Sequence, residues 1–165
     1  MTQVVLGLGS NCGESVSYFR HAVESLEKEI HQMKMSSIYK TKPMEYLQQD
    51  DFYNMVIAGM YSGTAEHLLD AVLDIENVNL RDRSSEIRYG PRTLDIDVEL
   101  FGNSVIDTPR LQVPHPRMKN RQFVLIPLLE ILPQLSDPLT GRLFQDICAA
   151  LPDQGVLKAG TLYGS

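Results

Sequence analysis

The stretch Arg88–Gly102 reads Arg-Tyr-Gly-Pro-Arg-Thr-Leu-Asp-Ile-Asp-Val-Glu-Leu-Phe-Gly. From Leu94 onward it alternates strictly: Leu94, Ile96, Val98 and Leu100 are apolar, whereas Asp95, Asp97 and Glu99 are acidic. A period of two in a run of aliphatic and β-branched residues predicts a half-buried strand. On such a strand Asp95 and Asp97 point to the same side. Two residues of rise span roughly 6.5–7 Å, which lets the two carboxylates converge on one hard cation or on a close pair of them. Gly90-Pro91 predicts a turn just upstream, and Arg92 follows at once. Acids for a metal and a base for an anion therefore meet at one end of one strand. The same alternation also suits the solvated face of an amphipathic strand with no further role.

Working outward, Val4–Leu8 predicts a short strand ending in a turn over Gly7-Leu-Gly-Ser-Asn-Cys-Gly13. The spacing of Gly7, Gly9 and Gly13 fits neither the dinucleotide fingerprint nor a P-loop, since no Gly-Lys-Ser/Thr follows. Residues 14–29 predict a helix, with Phe19, Ala22, Val23, Leu26 and Ile30 forming an apolar stripe. Residues 33–41 and 52–61 predict a strand pair around a polar surface loop, and Asn54 is unusual within a strand. Thr64 is placed to cap a second helix running to about Leu80. His21 and His67 lie on these helices without a second ligand at useful spacing and read as surface or packing residues. Arg81, Arg83 and Arg88 form a basic segment before the acidic strand. Beyond it come a turn and short strand after Leu100, a basic loop carrying His115, Arg117, Lys119 and Arg121, and a helix over 122–131 despite Pro127. A short helix is expected over 144–151, and 152–165 reads as frayed.

The order is β-α-β-β-α-β with a smaller C-terminal portion. It predicts an α+β, ferredoxin-like antiparallel sheet with two helices on one face. The chain of 165 residues reads as a single domain, with a core at about 3–135 and an extension over 136–165. The net charge of −6 argues against a general nucleic-acid binder. Residues 81–121, however, hold eight Lys/Arg against six Asp/Glu, a local +2, while the remainder holds seven against fifteen, a local −8. A basic island in an acidic chain suits a small polyanion. Cys12 and Cys148 are too few for a disulfide framework or a four-ligand zinc site. No stretch suits a signal peptide or a bilayer span, so cytoplasmic residence, no membrane and a monomer are the expectations.

Paired aspartates, bases on two flanking segments and His115 suit phosphate chemistry. Magnesium is held best by one or two carboxylates with substrate phosphates completing its shell, and arginine matches phosphate oxygens bidentately. Such transfer needs positioning and charge neutralisation more than covalent help. A ligand-sensing module of the same fold, or a metal-dependent phosphohydrolase, would use similar residues.

The central stretch with Leu100-Phe-Gly102 closely resembles the signature of the 6-hydroxymethyl-7,8-dihydropterin pyrophosphokinases of folate biosynthesis. Gly7–Asn11, Tyr39-Lys-Thr with Pro43, Asp51-Phe-Tyr-Asn54, Val113-Pro-His115 and Met118-Lys-Asn-Arg121 with Phe123 follow in the family order over about residues 3–135. The resemblance implies transfer of the β,γ-pyrophosphoryl group of ATP to the pterin hydroxymethyl, giving AMP. It implies two Mg²⁺ ions on Asp95 and Asp97. Arg81 or Arg83, in interchangeable roles, would neutralise phosphate together with Arg92 and Arg121. His115 would contact ATP, with Glu76, Val98 and Arg110 lining its site. Thr41, Met44, Asn54, Tyr89 and Phe123 would hold the pterin, stacked between aromatics with Asn54 reading its amide-like edge. Loops at 10–13, 44–51 and 82–90 would close over the substrates.

Overall fold

Apolar residues at alternate positions build a sheet, and those at three- and four-residue spacing build the helices that cover it. The computed structural model describes residues 1–11, 14–41, 51–81 and 94–163, with backbone alone at 80 and 81. Cys12, Met44, Arg83, Tyr89, Arg92, the Arg81 side chain, the Gly90-Pro91 turn and most of the three predicted closing loops lie outside the described residues.

In chain order, β1 (Thr2–Ser10), α1 (Ser15–Leu26), β2 (Ile30–Met35), β3 (Ile38–Thr41), β4 (Phe52–Tyr61), α2 (Ala65–Arg81) and β5 (Asp95–Phe101) make the expected β-α-β-β-α-β unit, with its second strand broken in two. The sheet runs β5-β1-β4-β3, with β2 also beside β4, and all these pairings are antiparallel. This is the ferredoxin-like arrangement. Ser36 bridges the break. Its backbone N–H donates to Val56 O at 2.9 Å, and its hydroxyl accepts the Val56 N–H at 2.9 Å. The strand ladder thus continues through a side chain where the backbone leaves it.

One sheet face is fully covered. Val4, Leu6, Leu8, Met55, Ile57, Ile96 and Val98 pack against Phe19, Val23 and Leu26 of α1 and Leu68 and Val72 of α2. Thr64 caps α2 as expected, its hydroxyl accepting the His67 N–H at 3.2 Å. The opposite face carries Val5, Val56, Ala58 and Leu100 beneath Leu125 and Leu128 of α3 (Gln122–Ile131) and Phe144 of α4 (Phe144–Ala149). Helices therefore cover both faces, where the sequence led us to expect one. The second covering is shorter, and that difference leaves room for a site.

Several local expectations are revised. β1 continues through Gly7 and Gly9 to Ser10, so these glycines are strand residues and not a turn. α1 stops at Leu26, and Ile30 already belongs to β2, where it faces Tyr61. Its burial at helical spacing arises because the strand returns beneath the same core. Leu100 faces α3, away from Leu94, Ile96 and Val98, because the β1–β5 register steps from Leu6–Val98 to Val5–Leu100. The segment read as frayed supplies β8 (Leu157–Gly160), which extends the sheet beyond β3. A two-stranded ribbon of β6 (Ile106–Asp107) and β7 (Gln112–Val113) precedes a cis Val113–Pro114 peptide and a 3₁₀ turn at Met118–Asn120.

Candidate active site

The site lies on the half-covered face, where β1, β4 and β5 emerge from under α3. A cavity of about 390 Å³ opens there, lined by Gly7, Gly9, Thr41, Asn54, Asp95, Asp97, Glu99, Arg121 and Phe123 among others. Register explains the grouping. Gly9 pairs with Asp95 on one side and Asn54 on the other, and Gly7 pairs with Asp97. Neighbouring strands lie about 4.8 Å apart, which separates Asp95 from Asn54 by roughly 10 Å of sheet. That span accommodates a two-ring heterocycle between an acidic side and an amide side.

The two glycines open this floor. A Cβ on Gly9 would come within 2.9 Å of Asn54 Oδ1, and one on Gly7 within 2.7 Å of Glu99 Oε1. Both are glycine because polar side chains from neighbouring strands lie across their backbones. The sequence placed these glycines in a turn, since the need for such close approach is set by the partner strands.

Glu99 is the residue that sequence reasoning left out of the site. It shares the alternation of Asp95 and Asp97 but is 1% exposed. Burial, reinforced by the Asp97 carboxylate and opposed by Arg121, pushes it up to about 8. Among the described residues, the buried side-chain polar atoms without a hydrogen-bond partner are Glu99 Oε2 and Thr41 Oγ1, and both residues line this cavity. Orphaned polar atoms each cost about 1–3 kcal/mol, so two in one cavity point to a ligand that completes them.

Arg121 occupies the N-cap position of α3 and lays its guanidinium over the Phe123 ring, 5.4 Å from the centroid. The chain around it is fixed from the C-terminal extension. Gln122 N–H donates to Gln154 Oε1 at 2.9 Å, and Gln154 N–H donates back to Gln122 Oε1 at 2.8 Å. Gln154 Nε2 also donates to Asn120 O at 2.9 Å, and Lys119 Nζ reaches Asp137 at 3.1 Å.

His115 is joined to β5 by its backbone N–H, which donates to Glu99 O at 2.8 Å. Its Nδ1 accepts the Arg117 N–H at 3.1 Å, so in the neutral ring Nε2 carries the proton. Burial lowers its pKa below the ordinary histidine value; Asp97 opposes this, and Arg121 and Arg117 add to it.

The remaining expected residues lie away from the cavity. Glu76 on α2 accepts the Ile96 N–H at 2.8 Å, tying the helix to β5 between the two aspartates. Val98 is buried in the α1–α2 core. Arg110 is exposed and paired with Glu66 and Asp70 of α2 at 2.8 and 2.6 Å. No group of three or more His, Cys, Asp or Glu among the described residues is arranged to hold a metal ion. Asp95 and Asp97, facing glycine across the sheet, fit the lesser demand of magnesium, which takes most of its ligands from water and phosphate. The arrangement offers anionic ligands and a guanidinium at one end of a cavity, and amide and hydroxyl groups at the other.

The comparisons with known proteins agree with this chemistry. The family model described as 7,8-dihydro-6-hydroxymethylpterin-pyrophosphokinase matches residues 5–133. A Bacillus subtilis 2-amino-4-hydroxy-6-hydroxymethyldihydropteridine pyrophosphokinase is 43% identical over 138 residues, covering 82% of this chain and 81% of that one. A Pseudomonas aeruginosa protein of the same name is 37% identical, covering 93% and 94%. A crystal structure of a Plasmodium falciparum HPPK-DHPS triple mutant overlays 90% of this chain with a TM-score of 0.72 at 13% identity. This chain spans 43% of that longer polypeptide, and the likeness supports the fold alone. The chain thus belongs to the 7,8-dihydro-6-hydroxymethylpterin-pyrophosphokinase family.

Proposed function

We propose that this protein transfers the β,γ-pyrophosphoryl group of ATP to the hydroxymethyl oxygen of 6-hydroxymethyl-7,8-dihydropterin, a step of folate biosynthesis. The hydroxyl oxygen bonds to the β-phosphorus, the bond from that phosphorus to the α,β-bridging oxygen breaks, AMP leaves, and the hydroxyl proton is released. The observation that carries the reading is a cavity with Asp95 and Asp97 on one strand, Asn54 and Thr41 across the sheet, and Arg121 with Phe123 at its rim.

In this reading Asn54 and Thr41 hold the heterocycle by its amide-like edge, with Phe123 as a stacking face and Met44 and Tyr89 joining them. Asp95 and Asp97 hold two Mg²⁺ ions, which neutralise and align the phosphates when bound. Arg121, with Arg92 and either Arg81 or Arg83, balances charge that develops on the transferring and leaving groups. The Nε2–H of His115 donates to the nucleotide. Glu76 acts through β5, whose pitch it fixes, and Val98 contributes through backbone. Arg110, now paired with α2, would have to exchange partners to reach the nucleotide.

We infer further that residues 1–165 work as one unit. Supporting this, β8 joins the sheet and Leu162 packs into the α1–α2 core. A cytoplasmic monomer is the accompanying reading; no helix among the described residues is long and apolar enough to cross a membrane. The test is a product assay with ATP, Mg²⁺ and the hydroxymethyl dihydropterin. AMP and pterin diphosphate should form in equal amounts. ADP in place of AMP would reject the reading, and phosphate release without any pterin would favour a phosphohydrolase.

A further inference from the structure

Glu99 stands apart from the two aspartates it follows. The β1–β5 register passes from Leu6–Val98 to Val5–Leu100, which leaves Glu99 as the extra residue of a β-bulge. Bulges beside active sites re-aim a side chain and free a backbone group. Both effects are present. The Glu99 carbonyl, released from the ladder, accepts the His115 N–H at 2.8 Å. The side chain folds back over Gly7, whose missing Cβ makes the space that Glu99 Oε1 occupies. The carboxyl group ends in the cavity floor, 1% exposed, with Oε2 unpartnered among the described residues. A bulge, a glycine and a buried acid thus act together to present one acceptor atom.

We propose that Glu99 is a further substrate-binding residue, accepting a hydrogen bond from a ring N–H or amine of the heterocycle beneath the edge read by Asn54. The proposal rests on the pyrophosphokinase reading. A ring donor fits better than a metal ion, because Asp95, Asp97 and Glu99 are not arranged as a three-carboxylate metal site. It also fits the row order. Glu99 Oε1 overlies Gly7, in the sheet row next to the one where Gly9 separates Asp95 from Asn54, so the carboxyl lies between the acidic and amide sides of the cavity. An N–H-bearing heterocycle lying across that floor satisfies an atom that the protein leaves without a partner.

Three variants of the full-length protein test this: Glu99→Leu, Glu99→Gln and Gly7→Ala. Wild-type formation of AMP is measured first and settles the pyrophosphokinase reading by itself. In Glu99→Leu, KM for the dihydropterin should rise about tenfold or more, with KM for ATP and the Mg²⁺ dependence unchanged. Glu99→Gln retains an acceptor oxygen and should recover most of that loss. Gly7→Ala displaces the carboxyl group without removing it and should weaken pterin binding in the same direction. An unchanged pterin KM in Glu99→Leu would overturn the proposal by making the carboxyl a bystander. A shifted Mg²⁺ requirement with unchanged pterin KM would overturn it in favour of a metal ligand. If Glu99→Leu fails to fold, the Gln and Ala variants decide, since each keeps polar and apolar volumes close to those of the native chain.

Discussion

Asp97 and Glu99 are two residues apart on one strand, yet their surroundings assign them different work. Asp97 is only partly buried and faces Gly7 across the sheet, open to the cavity; Glu99 is buried, with its carboxyl folded over Gly7 in the cavity floor. Replacing Asp97 by Asn removes one charge from the phosphate end while keeping shape. We expect kcat to fall about 10²–10³-fold, the scale of losing one charge-stabilising contact in a transition state. The melting temperature should hold, and circular dichroism beside the kinetics would check both. Unfolding of this variant would make the aspartate structural. The placement of Asp95 and Asp97 on one side of one strand was legible from alternation, which by itself suited a solvated face equally well. The separate character of Glu99 was not, because burial of a strand residue depends on what packs over it. Gly7 and Gly9 were equally opaque: glycine reads locally as a turn, whereas here it yields space to Glu99 and Asn54 from neighbouring strands.

At the scale of elements, the β-α-β-β-α-β order along the chain followed from the sequence pattern, but the departures from regularity carry the site. The bulge in β5 turned Leu100 to the α3 face, which no period-two reading anticipates, since register is a property of two strands. The C-terminal extension, whose residues 152–165 read as frayed, holds the Arg121 segment through Gln154 and Asp137. Gln154→Ala removes two side-chain hydrogen bonds beside Arg121 and leaves the backbone N–H of residue 154 on Gln122 Oε1. It should lower kcat and raise KM for ATP several-fold while leaving pterin binding intact, and steady-state kinetics with each substrate varied in turn would show this. Equal loss for both substrates would mean general loosening. Asp137 accepts hydrogen bonds from Leu139 N–H, the Thr140 hydroxyl and Lys119, and these outweigh the cost of burial to hold its carboxyl below the ordinary aspartate value. A depressed folded pKa gives stability that is present above the unfolded value near 3.8 and lost as pH falls through the folded one. Chemical denaturation from pH 6 down to about 3 should therefore show a declining midpoint. Asp137→Asn should be less stable at neutral pH by about 1–3 kcal/mol and show a shallower decline. A decline of unchanged slope in the variant would assign the acid sensitivity elsewhere.

Across the molecule, function follows from unequal cover on the two sheet faces. α1 and α2 seal one face with a continuous apolar core, and α3 with α4 seal about half of the other. The open half gathers Asp95, Asp97, Asn54, Thr41 and Arg121 from four separate stretches of chain. Alternation and helical stripes revealed the covered face, because each is a local pattern. The family signature pointed to the open face, because its residues are spaced by the topology and not by any period. The account depends on the division of that cavity into a phosphate end and a heterocycle end. The most direct measurement is a crystal structure with Mn²⁺, a non-hydrolysable ATP analogue and 6-hydroxymethylpterin. We predict anomalous peaks bridging the Asp95 and Asp97 carboxylates to the phosphates, with the pterin edge on Asn54 and Thr41. Metal peaks held away from both aspartates, or a pterin seated outside this cavity, would contradict the account.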